Sequence, residues 1–511
     1  MPSPEPSRPL RMLFCMTGPN ELNGPNVWLT RHLPRLRARG ADAQLLYATF
    51  RPELPCSFRD QIAAAGVPVH KVALERYTED AVRSICAVID EVRPDIFCPN
   101  CFLFGYYAAR FARESGVSTV GVLHSDDPFY HDMVDVFVTG DPAWRLSGLA
   151  SVSQFLSGWM EKSCPSEVTR VYAPCGVPMP EKTAAPAVGR FRLIYSGRLV
   201  ERQKRIGRVL DRIEATLRML PDVEATVYGG GTDRDRVIAT IAAADCEGRF
   251  RFGGMIDVDE VIPTMCAAHA LVLLSDFEGL SIALLEAMAC GVVPIVARTR
   301  SGTDDMLRDG ENALLVEPWH QQGFIEAVRR LRDDRKLWQR LASAARQTVA
   351  DLGLTSDACA DRWMRLATDL RAGKPAPGPV TVPAVEDLPL PALPDRQDGM
   401  RRVDRRSPYE FVRQRKADQR PSYLWGAGGA GRAFLPILQR AGIDVRGFID
   451  SNPEKHGTLV EGLPVVSPEV LSHPGLSGPP PFVFITSMFV TEIVARLESM
   501  GLKKVADFAK A

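Results

Sequence analysis

From Arg11 to Pro178, short apolar runs alternate with stretches in which apolar residues recur at helical spacing. The runs Arg11–Met16, Asp95–Cys98, Ser118–His124, Leu149–Val152 and Val168–Tyr172 have strand length. Near-continuous apolar character over that length belongs to a parallel sheet covered on both faces by helices. The first strand runs into the Gly-containing turn Thr17–Asn26 and then a helix to about Arg39. That turn falls at the carboxyl end of the sheet, where open α/β sheets hold their ligands.

A Pro-rich hinge, Tyr172-Ala-Pro-Cys-Gly-Val-Pro178, closes a first domain (1–178), and Arg192–Arg198 opens a second alternating domain (188–371). Here Glu224–Tyr228 leads into Gly229-Gly-Gly231, and Arg300-Ser-Gly302 and Asp309-Gly310 read as turns. The most explicit stretch is Ala270–Ala297. An apolar run ends at Ser275 and a polar loop contains Gly279; Ser281 is placed to cap a helix through Cys290, and Gly291 suits the position past its end. Thr355–Leu370 is helical, with Trp363, Met364, Leu366 and Leu370 on or near one face. Composition then changes over a linker, 372–420. Gly373–Pro394 is Pro-rich and expected to be extended. Arg401–Arg420 is basic and reads as solvated, with a polar helix or a tether to anionic lipid as alternatives. In the last module (421–511), Tyr423–Trp425 leads into Gly426-Ala-Gly-Gly-Ala-Gly431, a helix to about Ala441, and a strand Val445–Ile449 that ends at Asp450. Strand, Gly-x-Gly-x-x-Gly, helix, strand and terminal acid follow in the order of a dinucleotide site.

At 511 residues and 45% apolar content the chain has material for about three packed domains. Lys plus Arg equals Asp plus Glu at 62 each, so no global charge favours nucleic acid, and partners must be read locally. Met1–Pro6 is polar and Pro-rich, unlike a signal peptide, and no uncharged apolar run has the length of a membrane span, so a cytoplasmic location is expected. Eleven cysteines are scattered without a framework, as reduced thiols would be. Cys98-Pro-Asn-Cys101 raises a thioredoxin-like redox pair as a minor alternative, and zinc would need two further ligands.

The unit around Ala270–Ala297 leaves the amides of Gly279, Leu280 and Ser281 at a helix N-terminus, outside the carboxyl end of a strand, where phosphates bind. Glu278 in the loop and Glu286 on the helix flank that position, so a ligand with phosphates on the helix start would present hydroxyl-bearing groups to both. A nucleotide sugar has this form.

Glu278, seven residues, Glu286, then Ala-Met-Ala-Cys-Gly and Pro294 resemble the signature of the retaining GT-B glycosyltransferases of family four. The resemblance covers roughly residues 11–370 and is strongest from Arg198 to Val316. It implies an α/β, GT-B fold with two Rossmann-like domains facing a cleft. It also implies transfer of a hexose-type sugar from a nucleoside diphosphate to an acceptor hydroxyl with the anomeric configuration retained. Carried onto this chain, Glu286 holds the ribose hydroxyls, Glu278 with the Gly279–Ser281 amides holds the sugar and phosphates, and Arg198 with Lys204 meets the charge growing on the leaving group. His124 matches a family histidine directed at the donor sugar. Gly24-Pro25 lies where the family usually has a Gly-Gly pair, with Gly24 or Asn26 as the donor contact there, Cys175 where it commonly has Asn, and Arg205 where Gly commonly follows the lysine. Without the resemblance, Lys204 is a member of a solvated basic helix start beside Arg202 and Arg205.

No cofactor or metal is required for transfer on this reading, because Arg198 and Lys204 face the phosphate charge. Asp233-Arg-Asp235 and Asp257-Val-Asp259 imitate the metal-binding acids of the other large glycosyltransferase fold but read as helix-start residues. The last module resembles small Rossmann-like modules attached to polysaccharide-biosynthesis proteins, with Asp450-Ser-Asn-Pro and Gly462-Leu-Pro-Val465 adding to the likeness. A nucleotide on Gly426, Gly428, Gly431 and Asp450 is the expectation there, an interaction domain with an empty glycine turn the alternative. The expected partners are a nucleoside-diphosphate sugar and a glycan or lipid-linked acceptor, with peripheral contact at the inner membrane face left open. Two other classes compete: a nucleotide-sugar-binding or assembly protein without turnover, and a dehydrogenase running on the last module. At about ninety residues that module leaves little room for a separate substrate domain.

Overall fold

Each apolar run becomes a strand, buried except at the edge strand over Thr169–Tyr172, in the computed structural model, which describes residues 8–18, 24–75, 77–184, 189–299, 301–405, 412, 415, 420–472, 480–504 and 508–510. The first sheet contains β1 (Arg11–Thr17), β2 (Asp42–Thr49), β3 (Val69–Ala73), β4 (Ile96–Asn100), β5 (Ser118–Leu123), β6 (Gly148–Ser151) and β7 (Thr169–Tyr172). All are parallel, in the order β3-β2-β1-β4-β5-β6-β7. The second contains β8 (Phe191–Ser196), β9 (Val223–Tyr228), β10 (Phe250–Gly254), β11 (Ala270–Leu273), β12 (Val293–Ala297) and β13 (Leu314–Val316), parallel in the order β10-β9-β8-β11-β12-β13. Central strands β4, β5, β11 and β12 are buried at every residue, because helices cover both faces. In each sheet the strand order reverses between two neighbours, β1 and β4 or β8 and β11, and their carboxyl ends open the crevice in which such folds hold ligands.

By contact, residues 1–76, 81–381 and 391–404 form one compact unit and residues 77–80, 382–390 and 405–511 another. The second unit holds the third sheet: β14 (Ser422–Trp425), β15 (Val445–Ile449), β16 (Leu459–Val460), β17 (Leu463–Val466), β18 (Phe482–Ile485) and β19 (Phe508–Lys510). Their order is β16-β17-β15-β14-β18-β19, with only the β16–β17 pair antiparallel among the described strands. Leu424, Phe434, Phe448 and Phe484 fill one face of this small Rossmann-like module and Trp425, Ile449 and Ile485 the other.

The strand expected over Asp95–Cys98 runs on to Asn100, with a register shift after Phe97 and Asn100 in the left-handed region at φ 56. Pro99 has no amide to give the ladder, which places the irregularity there. Burial pushes the Cys98 thiol far up and the Cys101 thiol up to about 11. Redox cysteines need the opposite shift, so the thioredoxin-like reading does not fit this pair.

Two chain crossings tie the two large sheets together. Val177, at the hinge, donates to Leu354 O at 3.1 Å and accepts from Ser356 N at 2.9 Å. From that point the helix Ser356–Arg371, capped by Thr355, returns to the first domain and lays Trp363 against Phe14 and Trp28, with ring centres 5.2 and 5.7 Å apart. The Pro-rich stretch that follows is extended but docked: Lys374 Nζ donates to Ser118 Oγ at 2.8 Å and Gly378 N to Ser115 O at 2.9 Å. Further on, Arg396 pairs with Asp132 at 2.6 Å and Asp135 at 2.5 Å, and Asp398 pairs with Arg202. Of the basic segment, 406–411, 413, 414 and 416–419 lie outside the described residues, so its polar-helix and lipid-tether readings fall mostly there.

The hinge crossing depends on a missing side chain. A Cβ on Gly176 would stand 2.1 Å from the Thr355 carbonyl oxygen, whereas one on Gly158, in the helix Gln154–Ser163, would meet nothing within 4 Å. Gly176→Ala is expected to lose about 1–3 kcal/mol, the usual cost of forced overpacking. Gly158→Ala is expected to gain a few tenths to about 1 kcal/mol by restricting the unfolded chain. Urea unfolding of both variants, followed by tryptophan fluorescence, checks this opposite pair of signs.

Candidate active site

A cavity of about 320 Å³ opens at the carboxyl ends of β1, β4, β8 and β11. Gly24, His124, Arg198, Lys204, Glu278, Gly279, Leu280, Ser281 and Glu286 all line it, so the residues named from the sequence for donor binding and transfer share one space. Asn26 does not line it and is buried. The turn before Gly24 (19–23) lies outside the described residues.

The loop after β11 builds as its residue types require. Ser281 Oγ accepts from Leu284 N at 3.4 Å, the helix runs Ile282–Cys290, and Gly291 ends it at φ 73. The amides of Gly279, Leu280 and Ser281 donate to no described residue. They therefore combine free N–H groups with the positive end of a helix, an arrangement that attracts phosphate. A Cβ on Gly279 would stand 1.9 Å from the His124 carbonyl oxygen. At this point loops of the two large sheets meet backbone to backbone.

Lys204 is no solvated residue. Its Nζ is 2.5 Å from Glu278 Oε1, with only 11% and 8% of the two side chains exposed. Arg198 is exposed at the cavity edge and donates to Gln203 Oε1, while Gln203 Nε2 donates to Phe277 O at 3.1 Å. Neighbouring cations are drawn elsewhere: Arg202 to Asp398, Arg205 to Asp276. Arg205 sits in the left-handed region at φ 49, which accounts for the glycine common at that place and costs an arginine about 1 kcal/mol.

Glu286 is buried, and Arg31 Nη2 from the helix Gly24–Ala38 stands 2.6 Å from its Oε1. Burial raises the carboxyl pKa, opposed by Arg31. Nothing local singles out Arg31, since Arg35 and Arg37 follow it on the same helix and Arg39 stands just past its end.

His124 is placed at the cavity with its ring already engaged. Asn100 Nδ2 donates to Cys15 O at 3.4 Å, so its Oδ1 accepts from His124 Nε2 at 2.7 Å. Nδ1 then faces the Cys175 thiol at 3.9 Å, which gives that residue a place beside the histidine. Burial lowers the His124 pKa to about 3, so the ring is neutral. The N–H expected to reach a sugar hydroxyl is thus directed at Asn100. Asp127 and Tyr130 are among the lining residues that were not singled out from the sequence. Asp127 caps the helix Pro128–Phe137 through Phe129 N at 3.0 Å, and burial raises its pKa. The Asp-Pro pair was the available signal.

Asp233 precedes the helix Arg234–Ala243 but does not cap it; its Oδ2 accepts from Glu201 N at 3.0 Å, across to another helix. Asp257-Val-Asp259 forms a turn before the helix Val261–Cys266. Among the described residues no three metal-ligating side chains converge.

The small module has its own cavity of about 850 Å³, lined by Gly426, Gly428 and Asp450. Gly428 and Gly429 start the helix Gly429–Arg440, with open space where their Cβ atoms would be. Gly431 serves packing instead, because its Cβ would stand 2.0 Å from Gly426 O, and it does not line the cavity. Burial would raise the Asp450 pKa, but Lys455 Nζ at 2.8 Å and the Asn452 amide at 3.0 Å outweigh it and hold the carboxyl below its ordinary value.

Residues 181–348 match the family described as Glycosyl transferases group 1. The glycogen synthase of Mycobacterium tuberculosis is 26% identical over 327 residues, covering 60% of this chain and 74% of the relative. The lipopolysaccharide core biosynthesis glycosyltransferase LpsE of Rhizobium meliloti is 31% identical over 167 residues, 32% of this chain and 48% of the relative. Among solved structures, Anabaena HepE in complex with UDP-glucose superposes with a TM-score of 0.57 at 17% identity, covering 70% of this chain and 99% of that one. The sucrose-phosphate synthase of Thermosynechococcus elongatus gives 0.57 at 17% identity, over 71% and 99%. A group 1 glycosyl transferase domain in a GT-B architecture supports a glycosyltransferase that works from a nucleotide-sugar donor.

Proposed function

We propose that this chain moves a hexose-type sugar from a nucleoside diphosphate to an acceptor hydroxyl, retaining the anomeric configuration and needing no metal ion. The observation that carries this reading is the convergence of Arg198, the Lys204–Glu278 pair, the Gly279–Ser281 amides and Glu286 on one cavity. Relatives that include a glycogen synthase and a lipopolysaccharide core glycosyltransferase favour an acceptor that is a glycan or a lipid-linked glycan. They also favour a place in polysaccharide or glycoconjugate synthesis.

In the proposed step the bond from the anomeric carbon to the departing phosphate oxygen breaks as the acceptor oxygen bonds the same face of that carbon. The acceptor proton passes to the departing phosphate oxygen. Glu286 accepts from ribose hydroxyls and Glu278 from sugar hydroxyls. As the sugar engages Glu278, Lys204 turns its ammonium toward the diphosphate, where Arg198 and the helix start also stabilise the growing charge. His124, locked by Asn100, shapes the sugar end of the cavity with a neutral ring. The small module binds a nucleotide in its own cavity, over Gly426, Gly428 and the packed Gly431, with Asp450 toward the ribose, and takes no part in transfer.

Arg198→Ala and Lys204→Ala are each expected to lower kcat/KM with the matching donor by about two to three orders of magnitude. Lys204→Ala strands the buried Glu278 and should lower the melting temperature as well, whereas loss of the exposed Arg198 should not. Transfer should continue unchanged in EDTA, followed as release of nucleoside diphosphate; loss of activity restored by magnesium or manganese would return the charge to a metal. In the full-length chain, Gly428→Val should weaken saturable nucleotide binding at the second cavity while transfer persists, as calorimetry and the transfer assay read separately. Loss of transfer in that variant would place the module in the active site.

A further inference from the structure

Two cysteines far apart in the chain meet beside the cavity. Cys266 ends the helix Val261–Cys266 and Cys290 ends the helix Ile282–Cys290. One stretch of chain past the hinge lies across both ends: Cys266 Sγ donates to Lys182 O at 3.7 Å, and Ala184 N donates to Cys290 O at 2.6 Å. Cys290 Sγ stands 4.0 Å from Ile262 O, the carbonyl one helical turn before Cys266. The two thiols share a hydrogen bond in which Cys290 keeps its proton, because burial, with Cys266 beside it, pushes that thiol far up. Cys290 is buried, whereas Cys266 is only half-buried. Both helices wall the cavity. Val261 lines it from the first, with Ile256 and Val258 in the loop before, and Ile282, Ala283 and Glu286 line it from the second.

We propose that Cys266 and Cys290 are a redox pair, which a hydroperoxide closes to a disulfide, and that closure weakens donor binding by displacing the wall formed by Ile256, Val258 and Val261. The effect on binding rests on the donor reading given above. Cys266, as thiolate, attacks one peroxide oxygen; the O–O bond breaks, the departing hydroxide takes the thiol's proton and leaves as water, and Cys266 becomes a sulfenic acid. Cys290 then loses its proton as its sulfur attacks that of Cys266, the S–O bond breaks, and a second water leaves. The two thiols give up two electrons and hydrogen peroxide is reduced to two waters. Only the sulfur that attacks first must ionise, and here it is the one nearer solvent, so the high pKa of Cys290 does not bar the reaction. The bond draws the sulfurs from contact distance to about 2 Å. The second helix is buried at every residue from Leu284 to Cys290, whereas Pro263 on the first is exposed, so the first helix takes up the movement and carries Val261 with it.

The test is oxidation by hydrogen peroxide of the full chain carrying Gly428→Val, so that the second cavity does not contribute. Peptide mapping without reductant should then find Cys266 joined to Cys290. Calorimetry with UDP, ADP and GDP should find the tightest-binding of the three held about threefold or more weakly after oxidation, with recovery in dithiothreitol. Cys266→Ser and Cys290→Ala should each keep the affinity of the reduced protein before and after peroxide. If no such disulfide is mapped, or if it forms and the affinity is unchanged, the proposal fails while the donor reading stands. A loss of affinity that persists in Cys266→Ser belongs to another thiol and also overturns it. If the reduced protein binds none of the three nucleotides, both fail.

Discussion

A carboxylate taken out of water must find a counter-charge, and this fold takes two of them out of water within one loop and helix. Glu278 is met by Lys204 from the same domain and Glu286 by Arg31 from the other. Breaking such a pair by removing one partner costs about 3–5 kcal/mol, far more than an exposed pair contributes. The positions of four side chains are thereby coupled to the relative placement of two sheets. The chemistry follows from the same constraint, because charges held ready in a buried cleft need little reorganisation when a leaving group develops charge.

Holding the two domains at that separation falls to backbone contacts. Gly279 allows the loop after β11 to touch the His124 carbonyl, and Gly176 allows the hinge to pair with Thr355. Added side chains would push both contacts apart. The helix Ser356–Arg371 then packs Trp363 into the aromatic group of Phe14, Trp28 and His32 beneath the cleft. Residues 391–404 add a second fastening outside the cleft, with Arg396 on Asp132 and Asp398 on Arg202. Burial of Asp132 makes that fastening more than a surface contact.

The small module repeats the same logic of a parallel sheet with a cavity at its strand ends, but distributes its glycines differently. Gly428 and Gly429 face open space at the helix start, while Gly431 lets the helix approach the strand turn. Asp450 is held by Lys455 and backbone amides, which fixes its orientation at the cavity.

Much of this architecture is legible in local sequence because it depends on short-range rules. Apolar runs of strand length, Ser281 before a helix and Gly291 after it are each decided within a few residues. The spacing of Glu278 and Glu286 on one loop and helix placed both at one cavity. Arg198 and Lys204 were found by their order relative to that unit, and they line it too. Periodicity could not say where long side chains end. Whether Lys204 was solvated or buried, whether His124 kept a free N–H, and which of three arginines on one helix reached Glu286 were settled by residues 24 to 255 positions away in the chain. The docking of the Pro-rich stretch belongs with them, since its partners Ser115 and Ser118 lie on other elements. Local pattern determines which faces are apolar and where helices begin and end. Burial, and with it the pairing and protonation of charged groups, is a property of the assembled surfaces, and only the tertiary structure decides it.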